Sequence, residues 1–264
     1  MDRRQVLKDL ALSTAGLLAG CKLGPSPEFS EPSNGRIDAR PSTQTGFPSP
    51  GIRPLLLEPG RDGRLYVPPG LTTGTPAPLI LALHGATGSG QDMLTALSKY
   101  ADQFGIVMLS PDSRGVTWDA IRGLYADDVR YINSAMAYTF ERCNIDPARI
   151  GVVGFSDGAS YSLGIGRLNG DLFHRIVSFS PGVLLQATDA FKPEVYITHG
   201  YRDSVLPMDT TSIPIVEELE ARGYTVTFRK FDGGHWMPLA YVPEALQWVI
   251  GGDLTTPIEP RIVR

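Results

Sequence analysis

Cysteine is nearly absent from this chain: there are two, Cys21 and Cys143, in 264 residues. Two cysteines cannot by themselves hold a metal cluster, and at most one disulfide could join them. Histidine is also scarce, at four residues, which narrows the search for a general base. Basic charge is not in excess, with 24 Lys and Arg against 28 Asp and Glu and a formal net charge of −4. That balance gives no electrostatic footprint for nucleic acid. No apolar run is long enough for a mature membrane-spanning helix, and no internal repeat is visible. What remains is ordinary globular composition, 42% hydrophobic and 20% charged, on a length that suits one large α/β domain.

The first residues read as an address rather than as fold. Arg3, Arg4 and Lys8 make a positive start, Leu10 to Gly20 is a short, weakly apolar stretch, and small residues close it. Residues 1–20 are therefore expected to be an export signal. Asp2 to Lys8 resembles a twin-arginine export motif, and Leu18-Ala19-Gly20-Cys21 resembles a bacterial lipobox. The resemblance implies that Cys21 is lipidated and holds the mature protein on a membrane, outside the cytoplasm. Cys143 is then left as a lone thiol, expected to be buried packing. Residues 21–51 carry Pro25, Pro27, Pro32, Pro41, Pro48 and Pro50 among serines and glycines, and are expected to form a flexible tether. The folded domain is expected over 52–264.

Within that domain, apolar runs alternate with helical patterns. Arg64–Val67, Pro78–Leu83, Ile106–Leu109, the run ending at Phe155, Arg175–Phe179, Glu194–Ile197 and Thr225–Phe231 read as strands. Asp92–Phe104, Asp127–Arg142, the stretch after Ser156 to about Arg167, Ser212–Ala221 and Pro243–Ile250 read as helices. Continuous apolar strands alternating with helices call for a mostly parallel, doubly wound α/β sheet covered on both faces. In such sheets ligands sit at the strands' carboxyl ends. His84, Ser156, Asp203 and the loop holding Trp118 all follow expected strand ends, so they are expected on one rim.

Gly154-Phe155-Ser156-Asp157-Gly158 is the stretch with chemistry in it. It is a G-x-S-x-G pattern between a strand and a helix, the context in which a serine hydroxyl is thrust out on a strained turn. A serine needs a base. His84, His199 and His235 lie in strand-end loops; in the α/β-hydrolase order Ser, Asp or Glu, His the base comes last, and His235 satisfies this where His84 and His199 do not. Asp203 is the expected acid, with Asp209 and Asp232 as competitors. Asp232 lies too near His235 in the chain to orient it easily, and Asp209 is better placed to open the next helix. An oxyanion needs two fixed N–H donors. The backbone of Asp157 is one, and Ala86 is expected to supply the other, with Thr87 as second choice. His84 and His199 are expected to shape loops. Thr87, Trp118 and Trp236 are candidate substrate contacts, and Tyr125 could join Trp118 and Trp236 in walling a pocket, although aromatics at a rim often serve packing.

Leu83-His84-Gly85, Gly154 to Ala159, His199-Gly200 with Asp203 and Pro207, and Gly233-Gly234-His235 together resemble the α/β-hydrolases. The chain is most similar to the phospholipase/carboxylesterase group and to the polyhydroxybutyrate-depolymerase-like and feruloyl-esterase-like enzymes, over about residues 60 to 250. Asn144 to Ile150 before the serine strand is also typical of that group. The resemblance implies a cofactor-free, metal-free serine esterase in which Ser156 is acylated by a small-molecule ester and His235 activates the hydrolytic water. The segment from Ser180 to Pro193 is too short for a large cap domain, so an open site is expected. A peptidase or amidase on the same fold, or a non-catalytic binding lipoprotein, are the other readings; the triad residues standing complete and in order weigh against the last.

Overall fold

A computed structural model describes residues 33–254. The expected signal at 1–20 and the lipidation site Cys21 lie outside the described residues. Among the described residues no helix is long and apolar enough to cross a membrane.

Among the described residues eight strands form one sheet in the order β1-β2-β4-β3-β5-β6-β7-β8. They are β1 (Gly51–Pro54), β2 (Gly63–Val67), β3 (Ala77–Leu83), β4 (Val107–Pro111), β5 (Ile145–Phe155), β6 (Arg175–Phe179), β7 (Glu194–Gly200) and β8 (Val226–Phe231). From β4 to β8 every neighbour is parallel; β2 runs antiparallel to both β4 and β1. Among the described residues five α-helices complete the fold: α1 (Gly90–Phe104), α2 (Asp127–Phe140), α3 (Asp157–Leu168), α4 (Ser212–Ala221) and α5 (Val242–Val249).

The period-two geometry of a strand divides the core between the two faces. In β3, Leu79, Leu81 and Leu83 join a cluster with Ile132 and Met136 of α2, Leu163 of α3 and Leu219 of α4. Ile80 and Ala82 join the opposite cluster, with Met93 and Leu97 of α1 and Leu246 and Trp248 of α5. All of β3 is buried, as a strand covered on both faces must be. Helix α1 begins at a capping box in which Ser89 and Asp92 satisfy each other's backbone N–H, and it ends at left-handed Gly105. Cys143 is a free thiol buried in the first cluster, and burial pushes its pKa up to about 12, as suits an inert packing residue.

The expected tether over 21–51 needs correction where it is described. Residues 33–50 are packed on the domain, and β1 begins at Gly51. Ile37 is fully buried in the core. Its N–H donates to Asn169 Oδ1 at 2.8 Å, and the N–H groups of Asp38 and Ala39 donate to Asn133 Oδ1 at 2.8 and 3.0 Å. Arg36 grips Asp171 through both terminal nitrogens, each at 2.8 Å, and Arg40 adds a 2.5 Å contact. A proline-rich composition reports little buried apolar area. It cannot report that one isoleucine, two arginines and two distant asparagines satisfy an extended segment.

That clamp should be pH-dependent. Hydrogen bonds from Arg36, then Arg40, outweigh burial and hold the Asp171 carboxyl at about 2, against 3.8 for the free group. A lowered native value means that the stabilisation is complete above the unfolded value and is lost as pH falls through the native one. Amide exchange at Ile37 and Asp38, normalised to intrinsic rates, should therefore accelerate as pH drops from about 4 toward about 2. Asp171→Asn should already exchange fast at neutral pH and lose the acid step.

Candidate active site

Strand β5 delivers the chain into a turn that only a narrow set of residues can make. Ser156, between β5 and α3, has φ 56° and ψ −119°, a conformation disfavoured for an L-residue. The neighbouring backbones nearly touch. A Cβ at Gly154 would lie 2.0 Å from the Gly158 carbonyl oxygen, and one at Gly158 would lie 2.2 Å from that of Leu83. Hydrogen bonds hold the strained residue on both sides: its N–H donates to Phe179 O at 2.9 Å, and its carbonyl accepts from Ala159 at 2.9 Å and Ser160 at 3.1 Å.

The side chain meets His235, which follows β8. Ser156 Oγ lies 2.9 Å from His235 Nε2, and His235 Nδ1 lies 2.7 Å from Asp203 Oδ2. A carboxylate can only accept, so Nδ1 carries the proton and Nε2 is left to accept the serine's. Asp203 is fully buried as a side chain. Burial alone would raise its pKa, but N–H bonds from Leu206 (2.8 Å) and Val205 (2.9 Å) to Oδ1, together with His235, hold it below the usual carboxylate range. The loop is tied to that of His235 by Arg202 N–H to Gly233 O at 2.8 Å.

The structure separates the other candidates. Asp209 is exposed, and Asp232 is paired at the surface with Arg202 at 2.8 Å. His84 is buried; its Nε2 accepts from Ser113 N–H at 2.9 Å, so Nδ1 donates to Gly85 O at 2.7 Å. Burial lowers its pKa, and both nitrogens are spent on loop geometry. His199 belongs to β7 itself. Its ring contacts Ser212 Oγ at 2.5 Å and Leu206 O at 2.7 Å, and its Nε2 lies 3.1 Å from Asp203 Oδ2, so it braces the acid's loop.

The N–H groups of Asp157 and Ala86 have no acceptor among the described residues. Asp157 opens α3, where unpaired N–H groups and the helix dipole favour negative charge. Thr87 is corrected as an N–H donor. Its N–H is spent on Val116 O at 2.6 Å, and its φ of 61° turns it out of line; only its exposed side chain remains free to meet a ligand. Trp118 is corrected too. It has no exposed surface, stacks on Tyr161 at 5.0 Å, and donates Nε1–H to His84 O at 2.8 Å. It braces the loop after β3 from behind and cannot touch substrate. Tyr125 packs near Tyr161, with ring centroids 5.7 Å apart, while Trp236 stands exposed beside His235.

Sequence reasoning missed the polar frame of the loop from 112 to 126. Buried Asp128 accepts from the N–H groups of Arg114 and Asp119, both at 2.6 Å. Asp119 accepts from Ala120 and Ala126, both at 2.7 Å, and from Tyr161 OH at 3.0 Å. Burial, then the charge of Asp119, raises Asp128 to about 6. Nothing in the local sequence distinguishes these aspartates from surface ones, because their partners come from the tertiary fold. Among the described residues no group of His, Cys, Asp and Glu is arranged to hold a metal ion.

The sheet order, the strained serine and the Ser-His-Asp chain of contacts define an α/β-hydrolase fold. No family model matches the chain, and no curated protein does. Solved structures do. A truncated carbohydrate esterase from gut microbiota superposes with a TM-score of 0.61 at 15% identity, over 79% of this chain and 97% of that one. An S-formylglutathione hydrolase from Staphylococcus aureus gives 0.61 at 17% identity, over 78% and 99%. The esterase PE8 gives 0.57 at 19% identity, over 71% and 96%. At such identities the likeness establishes the fold.

The close approach at the turn yields a stability prediction. Gly158→Ala should cost about 3 kcal/mol or more in urea denaturation, because the new methyl meets rigid backbone. Gly123→Ala, where a Cβ would have nothing within 4 Å, should be near neutral.

Proposed function

We propose that this chain is a serine carboxylester hydrolase that works through an acyl-enzyme. The observation that carries this reading is the unbroken contact chain from Ser156 Oγ through His235 to buried Asp203, at 2.9 and 2.7 Å. His235 Nε2 takes the hydroxyl proton as Oγ adds to the ester carbonyl. The tetrahedral oxyanion is received by the N–H groups of Asp157 and Ala86. Asp203 stabilises the imidazolium, which gives its proton to the departing alkoxide. Water, deprotonated by His235, then splits the acyl-enzyme, releasing the acid and restoring Ser156.

The rim supports an apolar substrate. Among the described residues nine large apolar side chains are exposed, and eight lie on loops that leave strand carboxyl ends, the end where Ser156 stands. Val116, Val183, Tyr201, Val205, Trp236 and Leu239 are among them. The loops touch one another around the serine: Thr87 bonds to Val116, Ser160 Oγ accepts from Gly182 N–H at 2.9 Å, and Arg202 bonds to Gly233. Such a collar would cover a hydrocarbon or aromatic substituent on the ester while the reacting carbonyl sits at Ser156. The address-like first 21 residues extend the proposal to an exported, lipid-anchored esterase.

Three experiments test these readings. A fluorophosphonate probe should label Ser156, and Ser156→Ala or His235→Ala should cut turnover of p-nitrophenyl esters by about 10⁴-fold or more with melting little changed. On the ladder from acetate to palmitate, kcat/KM should rise beyond acetate, and Val205→Ser with Trp236→Ser should lower the ratio of octanoate to acetate by about tenfold. Absence of labelling in folded protein would sink the hydrolase. In cells, Cys21→Ser should release the protein from membranes; if it stays bound, the anchor is elsewhere.

A further inference from the structure

The residue after the nucleophile poses an electrostatic problem. Asp157 offers its backbone N–H to the oxyanion, yet its own side chain is a carboxylate in the same first turn of α3. A negative charge free to swing toward the developing oxyanion would oppose what the N–H stabilises. Three consecutive residues from the loop after β4 bear on this point. Thr117 Oγ1 donates to Asp157 Oδ2 at 2.5 Å. On either side of it, Val116 O takes the N–H of Thr87 at 2.6 Å, and Trp118 Nε1–H donates to His84 O at 2.8 Å. Thr117 is itself buried, and the loop that presents it is held by Asp119 and Asp128 from within.

The clip therefore touches both segments assigned to the oxyanion. Its outer residues hold the loop that carries Ala86, and its middle residue holds the start of the helix that carries Asp157. We propose that residues 116–118 set the oxyanion site, with Thr117 as a positioning residue whose hydroxyl restrains the Asp157 carboxylate. This rests on Ser156 being the nucleophile and on the N–H groups of Ala86 and Asp157 receiving the oxyanion. A hydroxyl donor on Oδ2 has two effects. It fixes the carboxylate on the side of the clip, and it draws negative charge toward a hydrogen bond made before substrate arrives. The benefit belongs to the state in which the carbonyl oxygen is charged, so it should be read in kcat rather than KM.

The test is a double-mutant cycle on the whole protein, read by p-nitrophenyl acetate kinetics and by the second-order rate of fluorophosphonate labelling. Thr117→Val keeps the shape and removes the hydroxyl. It should lower kcat and the labelling rate about tenfold with KM changed less than about twofold. Thr117→Ser restores the donor and should return both rates to within about twofold of wild type. With Asp157→Asn as background there is no charge to restrain, so Thr117→Val should cost less than about threefold. An equal loss in both backgrounds would make Thr117 a packing residue and overturn the proposal. So would a Thr117→Val protein with wild-type kcat, or a folded Thr117→Ser protein about tenfold slower than wild type; the serine arm is read against wild type, so it can overturn the proposal even if the valine variant does not fold. Wild-type protein unlabelled at Ser156 would overturn instead the reading of the triad on which the proposal rests.

Discussion

Everything at this site depends on one close approach of backbone to backbone. The first turn of α3 presses on the ends of β3 and β5, with no room for a Cβ at Gly154 or Gly158. That contact forces Ser156 into positive φ, a strain on the order of 1–3 kcal/mol. The rest of the fold absorbs it. Strand β5 is flanked on both sides by parallel strands, and every residue of α3 from Gly158 to Leu168 is buried. A helix so fully enclosed cannot relax the turn at its head. The same approach packs the start of α3 against the carbonyls of Leu83 and His84, so one packing constraint sets both the strained serine and its neighbour loop.

Around this rigid centre His235 and Asp203 ride on loops, and loops are mobile unless their polar groups are satisfied. Here the satisfying groups are aspartates, Asp203 and Asp128 buried and Asp119 half-buried. Asp203 takes two backbone N–H groups as well as His235, while Asp119 and Asp128 take those of the loop from 112 to 126. A carboxylate offers about four acceptor sites, enough to gather several N–H groups of an irregular segment at once. In a low-dielectric setting each such bond is stronger than in water, so the network holds these loops in one arrangement. The apolar collar then has a simple geometric origin. Parallel strands send their loops to one end, and side chains there have no second layer to cover them.

How much of this could be read beforehand varied with the range of the interaction concerned. The apolar runs of β3 and β5 and the helical faces of α1 and α2 carry their own periodicity, so strands, helices and their alternation were legible. Ser156, Asp203 and His235 were legible because each sits in a short motif at a strand end and because chain order excludes the other histidines. Thr87 and Trp118 were misplaced for a shared reason. Both lie in loops, and whether a loop N–H or indole faces solvent or a neighbouring carbonyl depends on segments far away in the chain. The packing of residues 33–50 was hidden in the same way, since Asn133 and Asn169 lie roughly a hundred positions or more from the backbone they satisfy.

By itself, then, the sequence determined the α/β architecture, the strained turn and the three residues of the contact chain. These follow from local periodicity, from glycines that mark close approach, and from motif order. Only the tertiary structure decided which loop N–H groups beside Ser156 stay free, which aromatics are buried, and that Thr117 holds Asp157. Those outcomes are competitions between hydrogen-bond partners and solvent, and the competitors meet only when distant segments fold against one another.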